Sequence, residues 1–226
     1  MIRAIIFDFN GVLVDDESVH FELFREVLAQ EGIDLTEEVY HDRYLGFDDR
    51  GGFEAALTEA GQAFDPRQIQ DLIARKALRY GEVAESGLKF FPEAAETLRR
   101  LADRYPLAIC SGALRPEIEY ALQRLGVRDR VHAIVSAEDT TRCKPDPEGY
   151  LLALQALRDR SLDDLQANQC LVVEDSLAGI KAALAAGMRV FGVSHSYSHL
   201  EMNGAGAEVV IDRLSEIDPD RVGPSD

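Results

Sequence analysis

Polar residues with catalytic potential stand directly after several short apolar segments of the chain. Asp8 follows the run RAIIF, and Ser111 follows PLAIC. Glu174 ends the run CLVVE, Asp175 comes next, and Lys144 lies a few residues beyond the run HAIVS. Carboxylates that meet at one place repel each other unless a cation lies between them. Asp8, Glu174 and Asp175 therefore indicate an oxygen-liganded divalent ion, most simply Mg²⁺.

The remaining residues of this set have the chemistry of a phosphate site. The Lys144 ammonium is a point charge for phosphoryl oxygens, and the Ser111 hydroxyl can donate together with the N–H groups of Gly112 and Ala113. With the phosphoryl charge neutralised by Lys144 and a metal ion, the Asp8 carboxylate can attack phosphorus and form an aspartyl-phosphate. These residue types predict Mg²⁺-dependent phosphoryl transfer from a small phosphorylated substrate.

Six short apolar runs can supply the strands that position these residues, and they span residues 3–7, 106–110, 132–136, 170–174, 189–193 and 208–211. Apolar runs without alternation are typical of parallel strands that are covered on both faces. Helical segments lie between them, with Pro116 and Ser176 at helix starts and Gly126 and Gly187 after helix ends. The alternation predicts an α/β fold with a doubly wound, Rossmann-like parallel sheet, whose carboxyl edge binds the ligand.

Residues 16–87 interrupt this alternation. The segment shows helical periodicity, with Val19, Leu23 and Val27 on one face, and no convincing strand. An insertion of about 70 residues is too long for an ordinary crossover. We therefore expect an all-helical cap domain over residues 16–87, inserted into a catalytic core formed by residues 1–15 and 88–226.

The composition bears on partners and location. The chain has 41 acidic and 24 basic residues and a formal net charge of −17, so no nucleic-acid or anionic-membrane partner is expected. Cys110, Cys143 and Cys170 are an odd number without CxxC spacing, which favours free thiols. The first apolar run meets Asp8 too early for a signal peptide. We expect a cytoplasmic protein that is a monomer or a weak dimer.

Four segments resemble, in order and spacing, the motifs of the haloacid dehalogenase superfamily. They are DFNGVLVD at residues 8–15, Ser111-Gly112, KPDP at residues 144–147 and EDS at residues 174–176. The helical insertion resembles the capped subgroup that contains β-phosphoglucomutase, phosphoglycolate phosphatase and related sugar-phosphate phosphatases. The likeness runs from residue 2 to about residue 214 and implies a core with a mobile cap.

The resemblance also implies roles for individual residues. Asp8 matches the nucleophile and a Mg²⁺ ligand, and Asn10 matches a residue whose backbone carbonyl binds Mg²⁺. Asp175 matches a direct metal ligand, and Glu174 matches a ligand or the residue that holds a metal-bound water. Ser111 and Lys144 match the phosphate binders of the family.

Three residues of the insertion match positions that meet the substrate in the β-phosphoglucomutase-like members. His20 lies near the acid/base, while Arg50 and Lys76 match cationic cap residues. The alternative for Arg50 and Lys76 is that they are ordinary solvated charges on helices. The alternative for His20 is a helix-face histidine that is hydrogen-bonded to a loop.

Asn10 departs from the family pattern, because the phosphatases and mutases have a proton-transferring aspartic acid there. Loss of general acid–base assistance costs about 10²–10⁴ in rate. One interpretation is an enzyme that uses a good leaving group or borrows His20 for proton transfer. A second is a phosphate-ligand-binding protein with vestigial chemistry. A third is an inactivated Asp-to-Asn form of an ordinary phosphatase, or an asparagine that deamidates at the Asn10-Gly11 pair.

Overall fold

The computed structural model describes residues 1–223, and its centre is a six-stranded parallel sheet. The strands are β1 (Ala4–Phe7), β2 (Leu107–Cys110), β3 (Val131–Val135), β4 (Cys170–Glu174), β5 (Arg189–Val193) and β6 (Val209–Ile211). Their spatial order is β3-β2-β1-β4-β5-β6. The order reverses direction at β1, which is the switch point where open α/β sheets bind ligands. The predicted doubly wound α/β fold is confirmed.

Both faces of the sheet are covered, which explains the unbroken apolar runs of its strands. The covering helices are α5 (Ala94–Ala102), α6 (Arg115–Arg124), α7 (Glu148–Ser161), α8 (Leu177–Ala185) and α9 (His199–Ala205). Successive residues of a strand point to opposite faces. In β1, Ile5 and Phe7 join one apolar layer, and Ala4 and Ile6 join the other. Every side chain of this strand is therefore buried.

The segment between β1 and α5 contains four helices and no strand. They are α1 (Glu17–Gln30), α2 (Glu37–Arg43), α3 (Asp49–Glu59) and α4 (Pro66–Gly87). Three of them begin at a side chain that accepts a hydrogen bond from a first-turn N–H group, namely Thr36, Asp48 and Asp65. Pro66 occupies the first turn of α4, where its missing N–H costs nothing. The helical insertion after the first motif is confirmed.

The insertion has an apolar cluster of its own, separate from the two layers on the sheet. Phe24, Leu28, Phe53, Leu57 and Leu72 are buried in it. This independent cluster supports the division of the chain at residues 16–87, which stays a prediction.

Two antiparallel stretches connect the insertion to the sheet. Val14 forms a bridge with Phe90, and the N–H of Asp15 donates to the carbonyl of Lys89 at 3.0 Å. No helix in residues 1–223 is long and apolar enough to cross a membrane.

Candidate active site

The sheet order places three buried carboxylates at one point. Asp8 follows β1, and Glu174 and Asp175 lie at the end of the neighbouring strand β4. One carboxylate oxygen from each lies within 4.8 Å of the other two. Oxygen donors of this type and number suit Mg²⁺. These residues are therefore the candidate metal ligands.

Two glycines make room for this carboxylate cluster. A Cβ atom on Gly11 would lie 2.0 Å from Oδ2 of Asp175, and one on Gly179 would lie 1.6 Å from Oε1 of Glu174. Gly11 also has a φ of 71°, which favours glycine. At these two positions the backbone therefore lies closer to the carboxylates than any residue with a side chain would allow.

Lys144 is the cation at this cluster. Its Nζ atom lies 2.8 Å from Oδ1 of Asp8 and 2.6 Å from Oε1 of Glu174. Burial raises the pKa of Asp8 to about 7 although Lys144 lowers it. Burial and the adjacent Glu174 and Asp8 raise the pKa of Asp175 well above its ordinary value. One lysine therefore does not neutralise three acids, and a divalent cation would restore the ionised carboxylates.

The phosphate-site residues lie beside Asp8 because β2 is its other neighbour in the sheet. The Ser111 hydroxyl donates to Oδ1 of Asn10 at 3.4 Å and accepts from the N–H of Ala113 at 3.1 Å. A Cβ atom on Gly112 would lie 3.0 Å from Cα of Asp48, which belongs to the insertion. Gly112 therefore lets the insertion approach the catalytic edge closely.

Asn10 contacts the first helix of the insertion. Its Nδ2 donates to Oδ2 of Asp16 at 2.9 Å and also lies 2.9 Å from Nε2 of His20. Asp16 is 1% exposed and accepts a second hydrogen bond from the Tyr80 hydroxyl at 2.6 Å. Although burial raises the pKa of Asp16, His20 and these donors lower it by more. The amide of Asn10 thus helps to hold an ionised carboxylate six residues away.

His20 and Lys76 form the second part of this network. The Lys76 ammonium lies 2.8 Å from Nδ1 of His20, 2.6 Å from Oδ1 of Asp49 and 4.7 Å from the Phe24 ring centroid. Burial and Lys76 lower the pKa of His20, but Asp16 raises it by more, so the net shift is upward. Because an ammonium only donates, Nδ1 accepts here, so a neutral His20 carries its proton on Nε2 and can donate it to Oδ2 of Asp16 at 3.4 Å. The amide nitrogen of Asn10 is also a donor, so its contact with this Nε2–H is not a hydrogen bond.

Helical spacing explains why these buried polar groups meet. Leu72, Lys76, Tyr80 and Ala84 are buried on α4 and are four residues apart. Residues at this spacing share one helix face. Asp16 and His20 have the same separation at the start of α1, where the side chain of Asp16 does not cap its own helix. Their carboxylate and ring are therefore available to the α4 side chains.

One cavity joins most of the predicted site residues. It is lined by the predicted residues Asp8, Asn10, His20, Ser111, Gly112 and Lys144. The metal-ligand candidates Glu174 and Asp175 lie behind Asp8, and Lys76 reaches the cavity through His20.

The structure does not bring Arg50 to this cavity. Arg50 is exposed and lines a separate surface depression with Cys143 and Pro145. Asp49 lines the catalytic cavity, and the next residue of an α-helix points about 100° further round the axis. At the start of α3 the carboxylate of Asp49 therefore lines the cavity, whereas the resemblance implied the guanidinium of Arg50 there.

Several residues of the site were not identified from the sequence. Asp16, Asp49 and Tyr80 belong to the polar network. Helical spacing could have identified two of them, because Asp16 lies four residues before His20 and Tyr80 lies four residues after Lys76. Glu117 lines the cavity, accepts from the N–H of Leu114 at 3.1 Å, and has a pKa that burial raises to about 7. Ser196 donates to Asp175 across the sheet edge, a contact without any local sequence signal.

Comparisons with known proteins agree with this geometry. The family model of haloacid dehalogenase-like hydrolases matches residues 2–187. The chain is 32% identical to the phosphorylated carbohydrates phosphatase of Thermotoga maritima, covering 86% of this chain and 87% of that one. It is 29% identical to validoxylamine A 7'-phosphate phosphatase of Streptomyces hygroscopicus subsp. limoneus over the full length of both chains.

A solved structure extends the likeness to the whole fold. CbbY from Rhodobacter sphaeroides in complex with phosphate superposes with a TM-score of 0.79 at 27% identity, covering 96% of each chain. A variant of that protein with aspartate replaced by asparagine was solved with xylulose-(1,5)bisphosphate at the same TM-score of 0.79. The predicted superfamily and phosphohydrolase class are thereby confirmed, and the chain belongs to the haloacid dehalogenase-like hydrolases.

Proposed function

We propose that this protein hydrolyses phosphate monoesters of small molecules in a Mg²⁺-dependent reaction that passes through an aspartyl-phosphate on Asp8. The observation that supports this most directly is the position of the Asp8 carboxylate, which lines a small-molecule cavity while lying against Lys144 and the Glu174–Asp175 pair. Nucleophile, phosphate-binding cation and metal-ligand candidates thus meet at one point. This arrangement matches phosphoryl transfer to a carboxylate.

Each residue has a defined part in this proposal. Lys144 and the Ser111 hydroxyl hold the phosphoryl oxygens, and the N–H of Gly112 adds a further donor. Asp8, Glu174 and Asp175, with the backbone carbonyl of Asn10, would hold Mg²⁺. When bound, this ion would neutralise phosphoryl charge. Asp8 attacks phosphorus, the ester oxygen departs with the alcohol, and water then cleaves the acyl phosphate to regenerate the carboxylate.

The insertion acts as the cap over this reaction. Glu17, His20 and Asp49 line the same cavity as Asp8, so substrate enters between two separately packed parts of the chain. Opening would occur at the paired stretches around Val14 and Phe90. Closure would exclude water from the phosphoryl group until the alcohol has left.

His20 takes the proton-transfer role that Asn10 cannot perform. Its ring lines the cavity, and Nε2 lies 2.9 Å from the Asn10 amide and 3.4 Å from Oδ2 of Asp16. Asp16 raises the pKa of His20, which favours the protonated ring, and in the proposed step the Nε2 proton would pass from its contact with Asp16 to the ester oxygen of the leaving alcohol. If His20 does not fully replace the missing aspartic acid, turnover of esters with poor leaving groups would fall by about 10²–10⁴.

The second candidate function is ligand binding without efficient turnover, either as the natural role or as an inactivated form of a phosphatase. The observation that favours it is the carboxamide of Asn10, which the structure uses to bind Asp16. The asparagine variant of CbbY with a bound sugar bisphosphate is a relevant precedent. An intact phosphate and metal site would then hold the substrate and leave it unreacted.

Phosphate release distinguishes these two functions. Wild type and Asn10→Asp are compared with Mg²⁺ on acetyl phosphate, an activated substrate, and on alkyl phosphate monoesters, after intact mass excludes deamidation. We expect wild type to hydrolyse acetyl phosphate at a rate close to that of Asn10→Asp, and Asn10→Asp to be faster on alkyl esters by about 10²-fold or more. Activity on every substrate only in Asn10→Asp would reject the enzyme and support the binding protein.

A further inference from the structure

The cavity that contains Asp8 also carries three carboxylates that the metal and phosphate sites do not use. Glu17 and Asp49 come from the insertion, and Glu117 comes from α6 of the core. They share the cavity wall with the aromatic rings of Phe24 and Tyr40. These groups surround the space that is left for the part of the substrate outside its phosphate.

Each of these carboxylates has one oxygen engaged by the protein. Oε1 of Glu17 accepts from the Tyr40 hydroxyl at 2.5 Å, and Oδ1 of Asp49 accepts from Lys76 at 2.6 Å. Oε2 of Glu117 accepts from the N–H of Leu114 at 3.1 Å. The second oxygen of each carboxylate takes no hydrogen bond from any residue between 1 and 223. None of these oxygens is among the buried atoms that lack a partner, so each is accessible. Three fixed acceptors are therefore available to a ligand.

No lysine or arginine in the described part of the cavity wall is available for a second anionic group, and His20 is already paired with Asp16. Lys144 is the one lysine or arginine among the described lining residues, and Asp8 and Glu174 already flank it. The Lys76 ammonium is 1% exposed and is held by Asp49 and His20. Arg50 lies at a different depression. A carboxylate or second phosphate on the substrate would face like charge without compensation.

We propose that Glu17, Asp49 and Glu117 select phosphate monoesters whose remaining part carries hydrogen-bond donors, hydroxyl or ammonium groups, and that they reject substrates with a second anion. This inference rests on the proposed phosphatase function and adds its substrate class. Hydroxyl and ammonium groups both donate to a carboxylate, but only the ammonium also gains from its charge. The three carboxylates are thus specificity-determining residues.

Three two-carbon esters of nearly equal size test the proposal. They are 2-aminoethyl phosphate, 2-hydroxyethyl phosphate and carboxymethyl phosphate, and they differ only in the group at the far end. At pH 8 with Mg²⁺, we expect kcat/KM for the amino and hydroxy esters to exceed that of the carboxy ester by about tenfold or more. A higher kcat/KM for the amino ester than for the hydroxy ester would show that charge is the main cause of the selectivity. Equal values for these two esters would show that hydrogen bonding is the main cause.

Glu117→Gln connects the selectivity to the cavity wall. Glutamine keeps an oxygen for the N–H of Leu114 but replaces the second carboxylate oxygen with a neutral NH₂ donor, so the amino-to-carboxy ratio of kcat/KM should fall by about tenfold. The ratio comes from one preparation and does not depend on the folded fraction. Glu119→Gln is the control, because Glu119 lies on the same helix, pairs with Arg128 and does not line the cavity. This control should keep the wild-type ratio.

The outcomes separate this inference from the proposed function. Hydrolysis of acetyl phosphate together with equal or carboxy-favouring rates on the three esters would overturn the inference and leave the phosphatase intact. If no compound is hydrolysed, the proposed phosphatase function is wrong. Mg²⁺-dependent binding of the same three esters, measured by calorimetry, then tests the inferred selectivity. Weakest binding of the carboxy ester would support it, and equal or tightest binding of that ester would overturn it.

Discussion

Two lysines of this protein lie at nearly the same distances from their partners but differ in exposure and in the role that we propose for them. Lys144 lies 2.8 and 2.6 Å from Asp8 and Glu174, and Lys76 lies 2.8 and 2.6 Å from His20 and Asp49. The Lys144 side chain is 12% exposed and opens to the cavity, whereas that of Lys76 is 2% exposed. Only Lys144 can therefore contact a ligand directly.

The charge around the two lysines differs as well. Lys144 stands among three clustered carboxylates, so its surroundings keep excess negative charge that a divalent cation would compensate. Lys76 faces one carboxylate and an imidazole, and both partners are side chains of the insertion. In the same network, Oδ1 of Asp16 is buried without a hydrogen-bond partner. The comparison supports our proposal that the sheet edge receives a metal and a phosphate, whereas the insertion network holds side chains of the protein itself in place.

The largest expected effect concerns the sheet edge. Asp8→Asn should reduce phosphate release by at least about 10⁴-fold, because an amide does not attack phosphorus. Asp15→Asn on the same segment is the control, since Asp15 is exposed and lines no part of the cavity. Steady-state assays with acetyl phosphate measure both. Substantial activity in Asp8→Asn would assign the nucleophile to another residue.

The second prediction separates Lys76 from Arg50. Lys76→Ala leaves Asp49 and His20 without their common partner and should lower the free energy of unfolding by roughly 2–4 kcal/mol. We also expect it to lower kcat/KM by about tenfold through displacement of His20. Arg50→Ala should leave kcat/KM within about twofold of wild type, because its side chain is exposed outside the cavity. Urea denaturation and kinetics test both, and equal kinetic effects would contradict the comparison.

A third prediction addresses the hydroxyl that closes the insertion network. Tyr80→Phe removes the donor to Asp16 and leaves a buried carboxylate short of one hydrogen bond, at a cost of about 1–3 kcal/mol in unfolding free energy. Tyr120→Phe is a matched control, because the Tyr120 hydroxyl reaches only the carbonyl of Ala84 at 3.4 Å. Its cost should be below about 0.5 kcal/mol. Equal costs would show that Asp16 does not depend on Tyr80.

The smallest expected effect is the pH dependence contributed by Glu117. Burial raises its pKa in the folded state from 4.5 to about 7. As the pH rises through this window, the unfolded chain releases the proton first, so the stabilising contribution present below pH 4.5 is lost by pH 7. Between pH 5 and 8, wild type should therefore lose about 1–2 kcal/mol more unfolding free energy than Glu117→Gln. Unfolding free energies of wild type and Glu117→Gln are measured against pH in metal-free buffer. The same pH dependence in both proteins would contradict the raised pKa of Glu117.

The family motifs and their grouping could be predicted from the sequence because they follow from local rules. Unbroken apolar runs form parallel strands, and residues just past their carboxyl ends meet at one edge. Asp8, Ser111, Lys144 and the Glu174–Asp175 pair were predicted together on this basis, and they adjoin one cavity. Asp8, Ser111, Glu174 and Asp175 stand at or directly after the ends of their strands, whereas Lys144 lies nine positions after the end of β3 and reaches the same edge through a loop.

The insertion shows the limit of such reasoning. Arg50 and Asp49 are neighbours in the chain, yet the start of α3 exposes one side chain and turns the other into the cavity. The partners of Asn10 depend on how α1 and α4 pack, because Tyr80 lies 64 residues from the Asp16 that it contacts. Helical periodicity predicted that these segments are helices but not which faces meet.

By itself, the sequence determined the strands, the helical insertion and the chemical identity of the catalytic edge, since these depend on apolar patterning and on residues at strand ends. The tertiary structure alone decided that Asn10 binds Asp16, that Lys76 is sequestered, and that Glu17, Asp49 and Glu117 face the substrate space. The physical reason is that helix rotation and packing place side chains from distant segments within hydrogen-bond distance, and no local pattern encodes that rotation.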